Sequence, residues 1–202
     1  MYQSLADGLT VAANDKTVRA IVMTGEGGIF TAGNDVEEFL KHPPQLGDSH
    51  VTRFMNTLRN AEKPVIASVS GIAIGIGTTL LMHCDLVYAA DSAQFAMPFT
   101  PLGLCPEFAS SYLFPRLAGY QRVAEKSLLG DVFTADEVAQ MGLVSKVMPA
   151  EALPSFVATQ AAKLVSLPSE SLRVTKKMMK KDLAVGVLSG YLPGSKSDST
   201  MV

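Results

Sequence analysis

The chain has 202 residues, of which 48% are hydrophobic and 18% charged, and its formal net charge is −2. That length and apolar content suit one domain with a substantial core and room for a small helical appendage, and they argue against disorder. The near-neutral charge leaves no electrostatic footprint for nucleic acid, and no apolar run is long enough to span a bilayer.

The N-terminus, Met1-Tyr2-Gln3-Ser4-Leu5-Ala6-Asp7, lacks the basic and apolar regions of a secretory signal. Leu5, Leu9 and Ala12, with Ala6 and Ala13 beside them, give a helical face over residues 2–14. A strand follows at 18–23, then a turn through Thr24-Gly25-Glu26-Gly27-Gly28 and the stretch Phe30-Thr31-Ala32-Gly33-Asn34-Asp35. Val36–Leu40 reads as helical, and 41–50 as a loop rich in turn formers. A helix is expected over 51–61, with Phe54, Leu58 and Ala61 on one face, and a strand over 64–70.

Gly71-Ile72-Ala73-Ile74-Gly75-Ile76-Gly77 reads as a second small-residue turn, leading into a buried helix at Thr78-Thr79-Leu80-Leu81-Met82. Both turns join a strand to a helix, an arrangement that leaves backbone N–H groups free to bind an anion or an oxyanion. The glycine spacing fits neither the dinucleotide fingerprint nor a phosphate-binding Walker loop. Short strands are expected at 86–90 and 93–97, joined by Asp91-Ser92, and helices near 108–117 and 120–129. Thr134 with Glu137 forms a helix-start signature, Gly142 ends that helix, 143–148 is a strand, and 150–166 and 169–181 are helical. Gly186 to Gly194 should break any helix, and Ser195–Thr200 reads as a polar, flexible tail. The strand–turn–helix alternation argues for an α/β fold with largely parallel strands.

Among chemical groups, Cys84 and Cys105 are expected as buried reduced thiols without metal-ligand spacing, consistent with a cytoplasmic protein. His42, His50 and His83 show no ligand pattern and are expected in surface or packing roles. Glu107 is the one acidic residue of the segment 98–112, flanked by Pro106 and Phe108 and followed by small residues that open a helix. A carboxylate in an apolar pocket has its pKa raised toward that of a useful general base. Taken alone, the segment fits better a glutamate in the first turn of a surface helix, favoured by the dipole. Ser110 and Ser111 have no histidine in a suggestive position, which argues against a hydrolytic triad. Lys176, Lys177, Lys180 and Lys181 read chiefly as the solvated face of a helix, with contact to phosphates as the alternative.

Five segments resemble the crotonase, or enoyl-CoA hydratase/isomerase, superfamily. They are Gly-Ile-Phe-Thr-Ala-Gly-Asn-Asp (28–35), Lys-Pro-Val-Ile-Ala-Ser-Val-Ser-Gly-Ile-Ala-Ile-Gly-Ile-Gly (63–77), Cys-Asp-Leu-Val-Tyr-Ala-Ala-Asp-Ser-Ala-Gln-Phe (84–95), Pro-Leu-Gly-Leu (101–104) and Phe-Thr-Ala-Asp-Glu-Val-Ala-Gln-Met-Gly-Leu-Val (133–144). The Pro-Glu-Phe-Ala-Ser-Ser-Tyr context of Glu107 looks like the peroxisomal type of Δ3,Δ2-enoyl-CoA isomerase and its bacterial relatives.

The resemblance implies a spiral of ββα units over residues 1–149 and a helical region over 150–202. It implies an acyl-CoA substrate and oxyanion-hole N–H groups at Asn34 and Ile76, with Ala32, Gly33, Asp35, Gly75, Gly77 and Phe99 around the substrate. The two hydratase glutamates correspond to Thr79 and Phe99, so hydration is not expected; Glu107 matches the single glutamate of the isomerases. No cofactor is implied, since CoA enters with the substrate. The expected assembly is a homotrimer or dimer of trimers, and the compartment cytoplasmic, with peroxisome or mitochondrion as alternatives. Two strands that normally precede the opening helix have no counterpart, and the C-terminal helices are expected to stop after about Lys181. A non-catalytic acyl-CoA-binding or assembly subunit and an enoyl-CoA hydratase are the competing readings.

Overall fold

In the computed structural model of the chain, residues 1–34 and 49–190 are described, with 182–190 described by backbone alone. Asp35, the helix expected at Val36–Leu40, the loop that follows it through Asp48, and the expected tail at Ser195–Thr200 lie outside the described residues.

The helices are α1 (Tyr2–Asn14), α2 (His50–Arg59), α3 (Ile76–Thr79), α4 (Ser110–Ala118), α5 (Tyr120–Leu129), α6 (Ala135–Gln140), α7 (Leu153–Ser166) and α8 (Ser169–Gly190). The strands are β1 (Ile21–Thr24), β2 (Val65–Val69), β3 (Ile72–Ile74), β4 (Leu86–Ala90), β5 (Gln94–Ala96), β6 (Phe133–Thr134) and β7 (Lys146–Met148). One sheet has the order β1-β2-β4-β7 and is parallel throughout. The other has the order β3-β5-β6, with β3 and β5 parallel and β6 antiparallel.

The expectation of a parallel α/β chain holds, and the two sheets explain why it repeats without a sequence repeat. From β2 to β5 the strands alternate between sheets: β2 and β4 enter the first, and β3 and β5 the second. Strands 86–90 and 93–97 are therefore not partners of each other, although only Asp91 to Ala93 separate β4 from β5. Thr31 makes a parallel bridge to Ala73, so the chain after β1 follows the same path along the edge of the second sheet. The stretch 71–77 thus contains a short strand, β3, and is not one continuous turn. β1 begins at Ile21, not at residue 18.

β2 is buried at every position, as expected of a central parallel strand covered on both faces. α7 packs across β2 and β4, with Phe156 set edge-on to Tyr88 at 5.0 Å. α1 lies along α2, burying Ala6 and Leu9 against a face that buries Phe54, Met55 and Leu58. Lys63 Nζ donates to the Ala12 and Asp15 carbonyls at 2.6 and 2.7 Å, satisfying oxygens that the end of α1 leaves open. The capping box read at Thr134 and Glu137 is formed, and Gly142 follows the helix at φ +80°.

Three expectations fail at the level of side-chain environment or helix length. Lys176 is buried, donating to Asp85 Oδ2 at 2.6 Å and to the Lys63 carbonyl at 2.8 Å, and Lys180 is partly buried against the His83 carbonyl at 3.0 Å. Half of the lysine cluster therefore ties α8 to the starts of β2 and β4, while Lys177 and Lys181 are exposed. Cys105 is exposed, whereas burial pushes the Cys84 thiol up to about 12. The backbone helix α8 runs through Gly186 to Gly190, because one glycine lowers helix propensity by only about 1 kcal/mol. No helix among the described residues is long and apolar enough to cross a membrane.

Candidate active site

The two glycine-containing turns are locked together by backbone. Phe30 N and Thr31 N both donate to the Ile72 carbonyl, at 3.1 and 3.0 Å, and Ile74 N donates back to the Thr31 carbonyl at 3.0 Å. The contact requires glycine at two places. A Cβ on Gly33, which has φ +90°, would stand 2.8 Å from the Ile74 oxygen, and one on Gly77 would stand 2.5 Å from Thr31 Cγ2. Asn34 lies just past the first turn, and Ile76 opens α3 just past the second. Thr78 N and Thr79 N both donate to the Gly75 carbonyl, and Gly75 N donates to the Ala96 carbonyl. Among the described residues, the Ile76 N–H has no backbone acceptor, as expected for the first position of a helix. Ala32 is exposed on the first turn.

Glu107 sits in the loop between a 3-10 turn at Thr100–Leu102 and α4. It is partly buried, and its Oε1 is buried with no hydrogen-bond partner among the described residues. Burial raises its carboxyl to about 7. The reading of a first-turn surface glutamate therefore fails: the residue precedes the helix and its carboxyl is shielded from water. Its carbonyl accepts from Ser110 N at 3.0 Å and from Ser110 Oγ at 2.6 Å. Phe108 and Ala109 follow with φ of +55° and +56°, a left-handed pair with no glycine in it.

Tyr2 joins the regions. Its ring packs on Phe54 with centroids 5.6 Å apart, and its hydroxyl donates to Asn34 Oδ1. Its phenol is raised first by burial and then by the negative charge of Glu107. This link was not read from the sequence, because a tyrosine in an N-terminal helix carries no local sign of a contact at residue 34. His83 was read only as a surface or packing histidine; it is buried, stacked on Phe108, and bonded to the Phe108 carbonyl through Nε2 at 2.8 Å.

The positions matched to hydratase glutamates hold no acid. Thr79 is wholly buried, with its hydroxyl 3.5 Å from the Ile76 carbonyl, and Phe99 is buried in the core. Phe99 also braces the loop toward Glu107, its carbonyl accepting from Leu102 N and Leu104 N. Among the described residues, no group of three His, Cys, Asp or Glu side chains is placed to hold a metal ion.

Interlocked turns feeding a helix start, with a shielded acid on a neighbouring loop and two sheets fed alternately, define a crotonase-type α/β protein. The family model described as enoyl-CoA hydratase/isomerase matches residues 1–193, and the chain belongs to that family. It is 37% identical over 188 residues to "Enoyl-CoA delta isomerase 2" of Rattus norvegicus, covering 90% of this chain and 48% of that protein. It therefore spans about half the length of that relative. It is 36% identical over 184 residues to "1,2-epoxyphenylacetyl-CoA isomerase" of Escherichia coli K12, covering 87% of this chain and 70% of that one. Among solved structures, Pseudomonas aeruginosa OdaA superposes with a TM-score of 0.91 at 39% identity, over 95% of this chain and 78% of that one.

Proposed function

We propose that the chain is an acyl-CoA isomerase that moves the double bond of a 3-enoyl-CoA to the 2-position, with Glu107 as its single acid–base group. The observation that carries this reading is the Glu107 carboxyl, whose Oε1 is buried and has no hydrogen-bond partner among the described residues, and which is raised to about 7. Such a group is substantially ionised near neutral pH and still holds a proton well enough to deliver it, the balance a shuttle needs.

In the proposed reaction Glu107 takes a proton from C2, and the electron pair moves into the thioester carbonyl. The N–H groups of Asn34 and Ile76 bind the resulting enolate oxygen, each donor contributing about 3–4 kcal/mol in comparable sites. The protonated Glu107 then gives the proton to C4 as the electrons return, leaving the double bond between C2 and C3. Ala32, Gly33, Asp35, Gly75, Gly77 and Phe99 would surround the thioester and acyl chain. The scheme calls for no cofactor beyond the CoA of the substrate, and a homotrimer or dimer of trimers is the proposed assembly. The isomerase names of the rat and E. coli relatives support this reading. Buried Thr79 and Phe99 disfavour hydration, since neither can activate water.

The test is turnover of 3-hexenoyl-CoA, followed by absorbance of the conjugated thioester, in the wild type and in Glu107→Gln. A fall of about 10²–10⁴-fold is expected. Equal turnover in the two would overturn the proposal. Acyl-CoA binding by the wild type without turnover would favour the non-catalytic reading.

A further inference from the structure

We propose that His83 is a positioning residue for Glu107, holding with its ring and its Nε2–H the left-handed Phe108–Ala109 turn that aims the carboxylate. The inference rests on the reading of Glu107 given above.

Phe108 and Ala109 occupy a conformation that L-residues adopt at an energetic cost, and they do so consecutively, directly after Glu107. Such a pair persists only where its surroundings over-determine it. Both residues are buried, at 2% and 4% exposure, so the partners of their backbone groups must come from the protein itself. The turn is clamped from two sides. Ser110 holds the Glu107 carbonyl through its N–H and its hydroxyl. His83 holds the next carbonyl, that of Phe108, at 2.8 Å, and its ring lies flat on the Phe108 ring with centroids 3.7 Å apart and planes 16° from parallel. Fixing these two successive carbonyls fixes the peptide planes on both sides of Phe108, the first of which starts at the Glu107 Cα and so sets the direction from which its side chain departs.

A carbonyl needs a donor, so Nε2 carries the proton in this contact. His83 follows α3 at the end of the 3-10 segment Leu80–His83, so the same short stretch links the Ile76 N–H to the turn beside Glu107. The role is not one of titration. Burial pushes the imidazole down to about 4, and the cations nearby, Lys180 and Arg59, further disfavour its charged form. His83 is therefore neutral across the range in which the proposed reaction would run.

The experiment measures kcat and KM for 3-hexenoyl-CoA in His83→Phe, His83→Gln, His83→Asn and Glu107→Gln, normalised to the folded fraction by circular dichroism. His83→Phe keeps the stack and loses the donor; kcat is expected to fall by about 10- to 100-fold with KM little changed, since small misplacements of a reacting group carry losses of that order. His83→Gln, whose amide N–H reaches the place of Nε2, is expected to recover most of the rate, and His83→Asn is not. The deficit should be constant between about pH 6 and pH 9, because His83 does not titrate there. Ala109→Gly supplies a residue at ease with positive φ, and in that background His83→Phe should lose less.

Wild-type kcat in His83→Phe alongside an inactive Glu107→Gln would overturn this inference alone. Full activity in Glu107→Gln would instead bring down the reading on which it rests. Should His83→Phe fail to fold, the comparison of His83→Gln with His83→Asn decides: equal rates contradict the role of the Nε2–H.

Discussion

Replacing Glu107 by glutamine should make the protein less active and, at alkaline pH, more stable. The folded state raises the carboxyl from 4.5 to about 7 by burial. The sign follows from linkage: a carboxyl raised by folding contributes stability that is fully present below the unfolded pKa and is lost as pH climbs through the folded one. At about 1.4 kcal/mol per pH unit, ionised Glu107 destabilises the fold by roughly 3 kcal/mol above pH 8, and by under about 1 kcal/mol at pH 5. Glutamine removes this pH-dependent cost and substitutes a constant one for its own buried amide. The constant part cancels when the difference between variant and wild type is compared at the two pH values. Urea melts at about pH 5 and pH 8.5 should therefore show the variant gaining about 2–3 kcal/mol on the wild type between them. In thermal melts the same gain is roughly 5–10 °C for a chain of this size. Parallel stability–pH curves for the two proteins would refute the claim that this carboxylate is held in an environment hostile to its charge.

Further consequences are directly measurable. With Glu107 as base, kcat/KM for 3-hexenoyl-CoA should rise with pH through about 7 and level off above it, and a flat profile from about pH 5.5 to 8.5 would contradict the assignment. Gly77→Ala would place a methyl 2.5 Å from Thr31 Cγ2 and 3.0 Å from the Thr31 carbonyl, pushing the two turns apart; a loss of about 10²-fold in kcat is expected, partly restored by adding Thr31→Ser. Asp85→Ala would leave Lys176, whose side chain is 6% exposed, without its carboxylate and Val65 N without its acceptor. A loss of about 3–5 kcal/mol in a urea melt is expected, and one below about 1 kcal/mol would show that the pair is better solvated than its geometry indicates.

What the amino-acid sequence makes legible is what short-range chemistry decides. Thr134 and Glu137 lie three residues apart and cap one helix, so the signal and the structure share a window. The five motif segments carry the family because each is contiguous. Even there, Ile72–Ile74 was read as turn, since its glycine neighbours dominate a short apolar run. The contacts that build the candidate site and anchor α8 are long-range. Tyr2 meets Asn34 across 32 positions, His83 meets Phe108 across 25, and Lys176 meets Asp85 across 91. No periodicity records such pairings, and a lysine-rich helix face looks solvated until the fold brings an aspartate to it. The same holds for Glu107: the segment alone favoured a surface helix, and only the loop geometry shields its carboxyl from water.

The most direct test of the central claim is a crystal structure of the chain with a bound, unreactive acyl-CoA. The thioester oxygen is expected within about 3 Å of both the Asn34 and Ile76 N–H groups, with the Glu107 carboxylate against C2 and C4 of the acyl chain. A thioester bound away from those donors, or a Glu107 carboxylate turned from both carbons, would contradict it.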